Sequence, residues 1–448
     1  MLHPGTDVSP CLTLATLLHE PWLLFHHLHF CSRMKVKLER IIYWAVWTSS
    51  VLWSLLKFVK SSKEYFYALN PDDFQNGWQI LQGEKKDNSD VEWSIISDTF
   101  KRYWIILMFQ IFCTQFILRM HRNGVPFFYA FYSMLCLVAI IGTQATTVFL
   151  SYIAIMFVAH ISGRKGLCYL LTLLALVLLH NPYFQDAKAS LTKGETQSFL
   201  FEVGLAWMMA KCLSFAVDRI EDDNHKNVTA MDVATTLSYC LYLPAVFTGP
   251  IFRYSQFLKE VFESERSQPG IILRNVLRVF YVLLWYFIYE ILLHFVYSSA
   301  VQYFPEVAFN FDSWSLCGLG YTLPMMFYLK YFIIYGMAGS IARLEGFNFP
   351  PAPKCISCIH LSSYLWRHFD RGLYLWILRY IYHPLVNKQR TIFRRVYALV
   401  LSFTFVSVWH GMDKPVCVWS TLNFLLVFSE VLMQYTLSTR AGRYFEVR

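Results

Sequence analysis

Charge is what this sequence has least of. Asp, Glu, Lys and Arg make up only 15% of its 448 residues, against about 25% in an ordinary soluble domain. So few charges cannot cover the surface of a soluble fold of this length, whereas a bilayer solvates apolar surface directly. An internal repeat and a low-complexity tract are also missing, which argues against a transporter built from inverted halves. There is no arginine-rich arm and no soluble nucleic-acid module. The net charge of +9 is therefore read as basic residues near membrane ends, drawn to anionic headgroups, and nucleic acid is not an expected partner. The eleven cysteines lack paired zinc spacing. Cys355 and Cys358 form a lone C-x-x-C with no second pair, and most of the others sit in apolar runs as small hydrophobes. Residues 1–33 lack the basic start and small-residue cleavage site of a signal peptide. They read as a variable extension ahead of Met34.

Hydrophobic side chains are what the chain has in abundance, at 56% of residues. Apolar runs near the length a membrane helix needs recur at 41–59, 103–119, 125–142, 145–162, 166–180, 198–217, 232–250, 271–299, 315–342, 396–412 and 416–436. The expected fold is all-α, a polytopic membrane helical bundle with about eight to eleven spanning or re-entrant segments. Pro244, Gly249 and Pro250 interrupt 232–250, which is tolerated where the backbone borders protein or a cavity. The loop 61–100 carries eight acidic residues against three lysines. Segment 361–395 alternates aromatics with Arg367, Arg371, Arg379 and Lys388. It is too basic to span simply and reads as an amphipathic helix at the interface, or a partly re-entrant one.

Few residues in these runs can do chemistry. His410 closes the apolar run VYALVLSFTFVSVWHG. Ionisable groups in membrane spans are costly and tend to face a cavity, so it is a candidate general base. The bland reading is an interfacial histidine at a helix end stopped by Gly411. Asp370, in WRHFDRG, can orient a histidine or receive a proton, or can pair with Arg367 or Arg371 on a helix surface. TGPIFRYSQF at 248–257 reads as a structural turn, with Arg253 as an anion contact. Cys355 follows a proline stretch as a soft ligand for a metal or haem, or as a free interfacial thiol.

The series YLPAVFTGPI, PAPKCIS, LWRHFDRGLYLWILRYIYHPL and FVSVWHG, in that order, resembles the Hedgehog-acyltransferase type of the membrane-bound O-acyltransferase (MBOAT) family. The loop YALNPDDF…GEKKDNSDVEWS is similar to that type's first hydrophilic loop. The likeness runs from about residue 41 to residue 435. It implies His410 and Asp370 as the catalytic pair, Trp366 as a wall of the acyl-donor pocket, and Cys355 as a haem-iron ligand. The implied activity is transfer of a palmitoyl group from palmitoyl-CoA to the N-terminal cysteine of a secreted Hedgehog protein, forming an amide. Arg367, Arg371 and Arg379 are expected beside the CoA phosphates, and the acceptor enters a tunnel from the lumen of the endoplasmic reticulum or Golgi. An MBOAT domain is expected over 34–448, without the last one or two spans of the family. Two alternatives stand beside this reading: another MBOAT acting on a Wnt, peptide or lysophospholipid acceptor, and a non-catalytic lipid-binding regulator. His410 argues against the branch of relatives that lacks this histidine.

Overall fold

Inside a bilayer every backbone N–H and C=O must be satisfied within the chain, and a helix does so segment by segment. The computed structural model follows that rule. It describes residues 35–81, 83–222, 228–263, 269–357, 359–386 and 391–438. The expected extension 1–33, Cys358 and Lys388 lie outside them. Among the described residues, nine helices are long and apolar enough to cross a membrane. They are α1 (Lys35–Glu64), α2 (Val91–Met120), α3 (Val125–Ile141), α4 (Thr143–Ile161), α6 (Glu195–Glu221), α8 (Pro269–Leu292), α9 (Ser313–Leu344), α12 (Ile392–Trp409) and α13 (Lys414–Ser438). Shorter elements separate them: α5 (Lys165–Leu179), α7 (Ala230–Cys240), α10 (Ser362–Phe369) and α11 (Arg371–Ile377).

The chain divides into two units. Among the described residues, the first takes in those of 35–94, Tyr286–Lys330 and 354–357. Its small core packs Phe58, Leu69, Ala300, Val301, Val307 and Phe311. The first hydrophilic loop folds into an antiparallel hairpin, β1 (Phe74–Asn76) with β2 (Lys85–Asp87), in which Gln75 pairs with Lys86. The acidic excess of this loop has a structural use. Lys330 lies in apolar α9 and is only 5% exposed; it is held by Asp90 at 2.7 Å and Glu92 at 2.8 Å. Glu290 of α8, equally buried, takes Lys86 at 2.7 Å and the Trp93 indole N–H at 2.9 Å. Buried charges persist only when partnered in this way.

The second unit takes in the described residues of Ile95–Trp285, Tyr331–Pro353 and 359–438. Helix α6 runs through its core and is buried along nearly its whole apolar length. Small residues let its neighbours approach, as they do in membrane bundles generally. A Cβ at Gly204 would stand 2.9 Å from the Phe247 ring and 3.1 Å from that of Phe149. Beside this core, the buried Glu345 carboxylate accepts from the Gln110 amide at 2.8 Å and from the Tyr242 hydroxyl.

Three expectations change. The run 232–250 is helical only to Cys240. A 3-10 turn at Leu243–Ala245 and irregular chain follow, because Pro244 and Pro250 cannot continue a ladder. The run 271–299 ends its helix at Leu292, and a separate short helix starts at Ser298. Segment 361–395 is not one continuous helix among the described residues. Helices α10 and α11, a π-turn at Leu378–Tyr382 and a short helix at His383–Val386 succeed one another, with Trp376 and Tyr380 fully buried in the core.

Candidate active site

Asp370 stands at the break between α10 and α11, with φ −120° and ψ 86°. A helix start leaves backbone N–H groups without partners, and a short carboxylate is a favoured cap. Asp370 caps α11: its Oδ1 accepts from Leu373 N at 2.8 Å. Its Oδ2 accepts from the Tyr335 hydroxyl of α9, also at 2.8 Å. The residue is 8% exposed and lies outside the nine spans. Burial pushes its pKa up to about 6, against the pull of the Leu373 N–H and the Tyr335 hydroxyl. Among the described residues no ion pair joins it to Arg367 or Arg371. Their guanidinium groups lie over the ring of Tyr374, at 5.8 Å and 5.7 Å from its centroid.

His410 ends α12, and the reason is local. Gly411 adopts φ +98°, its N–H bonds to Val408 O at 3.1 Å, and Met412 N–H bonds to Ser407 O at 2.9 Å. These paired bonds are the Schellman stop, which glycine makes without steric cost. The histidine is thereby presented at the mouth of the helix. Its ring lies 4.8 Å from that of Trp409 and 6.1 Å from that of Trp419.

Two runs of contacts join the Asp370 turn to the His410 turn. On one side Trp366 packs edge-on against Trp419 at 5.2 Å, and its indole N–H donates to Asn423 Oδ1 at 2.9 Å. Trp419 then meets His410. On the other side the backbone of the broken segment abuts α11, where a Cβ at Gly372 would lie 2.1 Å from Ile251 O. Gly249, with φ +74°, leaves room for the Trp207 ring, 3.0 Å from the place of its missing Cβ. Trp207 packs on Trp409 at 4.6 Å, and Trp409 donates its indole N–H to Ala206 O at 3.2 Å. His180 bonds to Trp409 O through Nε2 at 3.1 Å. The proline-broken segment is thus a wall of the site rather than a span. The result is a buried carboxylate and a terminal histidine held on one indole-rich frame.

The other expected residues sort differently. Arg379 is already neutralised, pairing with Glu221 and lying 3.6 Å from Asp218. Among the described residues the buried Arg253 Nε has no hydrogen-bond partner. Cys355 belongs to the first unit, where its sulfur lies 3.2 Å from Ser357 Oγ. Among the described residues no cluster of three or more His, Cys, Asp or Glu side chains forms. A haem needs only one axial thiolate, and a half-buried cysteine beside a hydroxyl in an extended proline stretch is a donor of that kind. Tyr335, Trp419, Asn423, Trp207 and His180 were not singled out from the sequence. Only the i, i+4 spacing of Trp419 and Asn423 on one helix face carried any signal for them.

The profile of the membrane-bound O-acyltransferase family, MBOAT, matches residues 41–441, and the chain belongs to that family of acyltransferases. Within it the chain is similar to the protein-cysteine N-palmitoyltransferase HHAT of Mus musculus, 25% identical over 87% of this chain and 80% of the relative. It is similar also to the protein-cysteine N-palmitoyltransferase Rasp of Drosophila melanogaster, 24% identical over 88% and 78%. The membrane-bound O-acyltransferase GUP2 of Saccharomyces cerevisiae is 28% identical over 53% of this chain and 37% of its own length. An acyl-CoA is the donor such enzymes imply.

Proposed function

We propose that this protein transfers a palmitoyl group from palmitoyl-CoA to the N-terminal cysteine of a Hedgehog-type secreted protein, forming an amide, in the endoplasmic reticulum or Golgi membrane. The observation that carries the reading is the joining of the Asp370 and His410 turns by indole rings, in a chain similar over most of its length to two N-palmitoyltransferases.

The α-amine of the acceptor attacks the thioester carbonyl. Its nitrogen loses a proton to His410, the C–S bond breaks, and CoA leaves as a thiol after taking a proton back. Asp370, ionised, steadies the charge that builds on the histidine. Trp366 and Trp419 flank the acyl chain and keep water from the thioester. Burial of the chain adds about 0.8 kcal/mol per CH₂. Arg253, with an N–H to offer, joins Arg367 and Arg371 as contacts for the CoA phosphates. Haem belongs to the reading at Cys355, where it would brace the extended segment; no step of transfer runs through it. Purified protein should carry a Soret band that Cys355→Ala loses, and an unchanged band would remove that ligand.

The test of the acceptor uses the purified full chain with labelled palmitoyl-CoA. Label should reach a Hedgehog N-terminal peptide with a free amine and spare the same peptide acetylated at its N-terminus. Label on a Wnt-type hydroxyl peptide instead would move the protein to another branch of its family.

A further inference from the structure

The mechanism leaves one contact of Asp370 unused. A carboxylate in a buried break between helices can rotate and can move with its own short helix. Here each oxygen is held by a different element. Leu373 N–H of α11 takes Oδ1, and the Tyr335 hydroxyl of α9 takes Oδ2, both at 2.8 Å. The first bond comes from the helix that Asp370 itself caps and cannot fix where that helix sits. The second comes from another helix. Tyr335 is 3% exposed. Its ring packs edge-on against Tyr331 at 5.4 Å, and Tyr331 packs against Phe369 at 5.8 Å, so the ring beside the hydroxyl is clamped by the residue before Asp370. A Cβ at the neighbouring Gly336 would stand 3.0 Å from Val282 Cγ2, so α9 is closely packed at this level.

We infer that Tyr335 is a positioning residue for acyl transfer, fixing the orientation and favouring the ionised form of the Asp370 carboxylate through its phenolic hydrogen bond. The inference rests on the reading that Asp370 acts in the transfer. The phenol touches no reacting atom. A phenol donates to an ionised carboxylate more strongly than to a neutral acid, so it counters the burial that favours protonation. The charged groups flanking Asp370 in the chain, Arg367 and Arg371, lie over Tyr374; the donors acting on the carboxylate are the phenol and the α11 backbone N–H groups of Leu373 and Gly372. Such a donor adjusts when the carboxylate is charged and leaves substrate affinity alone.

The test is Tyr335→Phe in the full-length protein, which deletes one oxygen and keeps the ring. Transfer should fall about tenfold in kcat, the effect of losing one hydrogen bond to a charged group. KM for palmitoyl-CoA and peptide should stay within about twofold, since uniform binding is untouched. The acidic limb of the kcat–pH profile should move up by about one pH unit, the same free energy read as a pKa. Incorporating 3-fluorotyrosine at 335, a stronger donor of nearly the same size, should move that limb the other way and covers the case in which the phenylalanine variant fails to fold. A wild-type kcat and pH limb in both variants would overturn the inference, as would equal losses at every pH accompanied by a lower melting temperature. Asp370→Asn runs beside them. If it retains full transfer, the role of Asp370 itself falls. If it is inactive while Tyr335→Phe is wild type, only the positioning role falls.

Discussion

At the scale of single residues, Asp370 makes opposite demands on activity and stability. Its folded pKa of about 6 lies above the value of about 3.9 for an unfolded aspartate. A raised carboxylate pKa means the folded state holds the proton more tightly. The associated stability is present below about pH 4 and is lost as pH rises through about 6. The proposed mechanism uses the ionised form, so activity should rise through about pH 6 while the thermal midpoint drifts down over the same window. A kcat flat from pH 5 to 7 would contradict the ionised role. Asp370 and His410 were singled out from the sequence because ionisable side chains are expensive in apolar surroundings, and the family resemblance supplied their proposed roles. Tyr335 was not, for the opposite reason: in a chain that is 18% aromatic, one tyrosine among many says nothing until its hydroxyl is seen on a carboxylate. Nor did spacing tell that Arg379 is spent on Glu221 while the Arg253 Nε is left without a hydrogen-bond partner among the described residues.

At the scale of elements, the long helices followed from hydropathy, and the departures gather where the site is built. The run 232–250 read as a broken span. Its proline and glycine residues instead fold it into a wall whose Ile251 carbonyl presses on α11. Segment 361–395 read as amphipathic because its arginines recur, yet Trp376 and Tyr380 turn it into the core. Periodicity reports which residues share a face and is blind to which face the rest of the protein covers. Gly372 makes the point testable. Any side chain there meets a backbone oxygen, which cannot rotate away, so Gly372→Ala must displace α11 and with it Asp370. A loss of about 1–3 kcal/mol is the usual size of such overpacking. The thermal midpoint should fall and kcat with it, by more than in Gly270→Ala, where the new Cβ meets nothing within 4 Å. Equal behaviour of the two variants would mean that the Ile251 contact does not hold the carboxylate.

At the scale of the whole molecule, the chain places several charges in an apolar solvent by giving them partners. Lys330 and Glu290 are neutralised by the first hydrophilic loop, and Glu345 is met by an amide and a phenol. The acidic character of that loop was legible in the sequence; that its charges serve lysine and glutamate residues far along the chain was not, because pairing across so many residues leaves no local pattern. His410 is an ionisable side chain at the exposed end of a helix, with the Trp409 and Trp419 indoles beside it. The account turns on that histidine being the base of an acyl transfer. The measurement that tests it is label transfer from palmitoyl-CoA to a Hedgehog N-terminal peptide in detergent, wild type beside His410→Ala, with both melting temperatures recorded. The account predicts equal melting temperatures and a fall of about 10²–10⁴-fold in transfer, the range general-base catalysis supplies. A folded His410→Ala protein that transfers at the wild-type rate would contradict it.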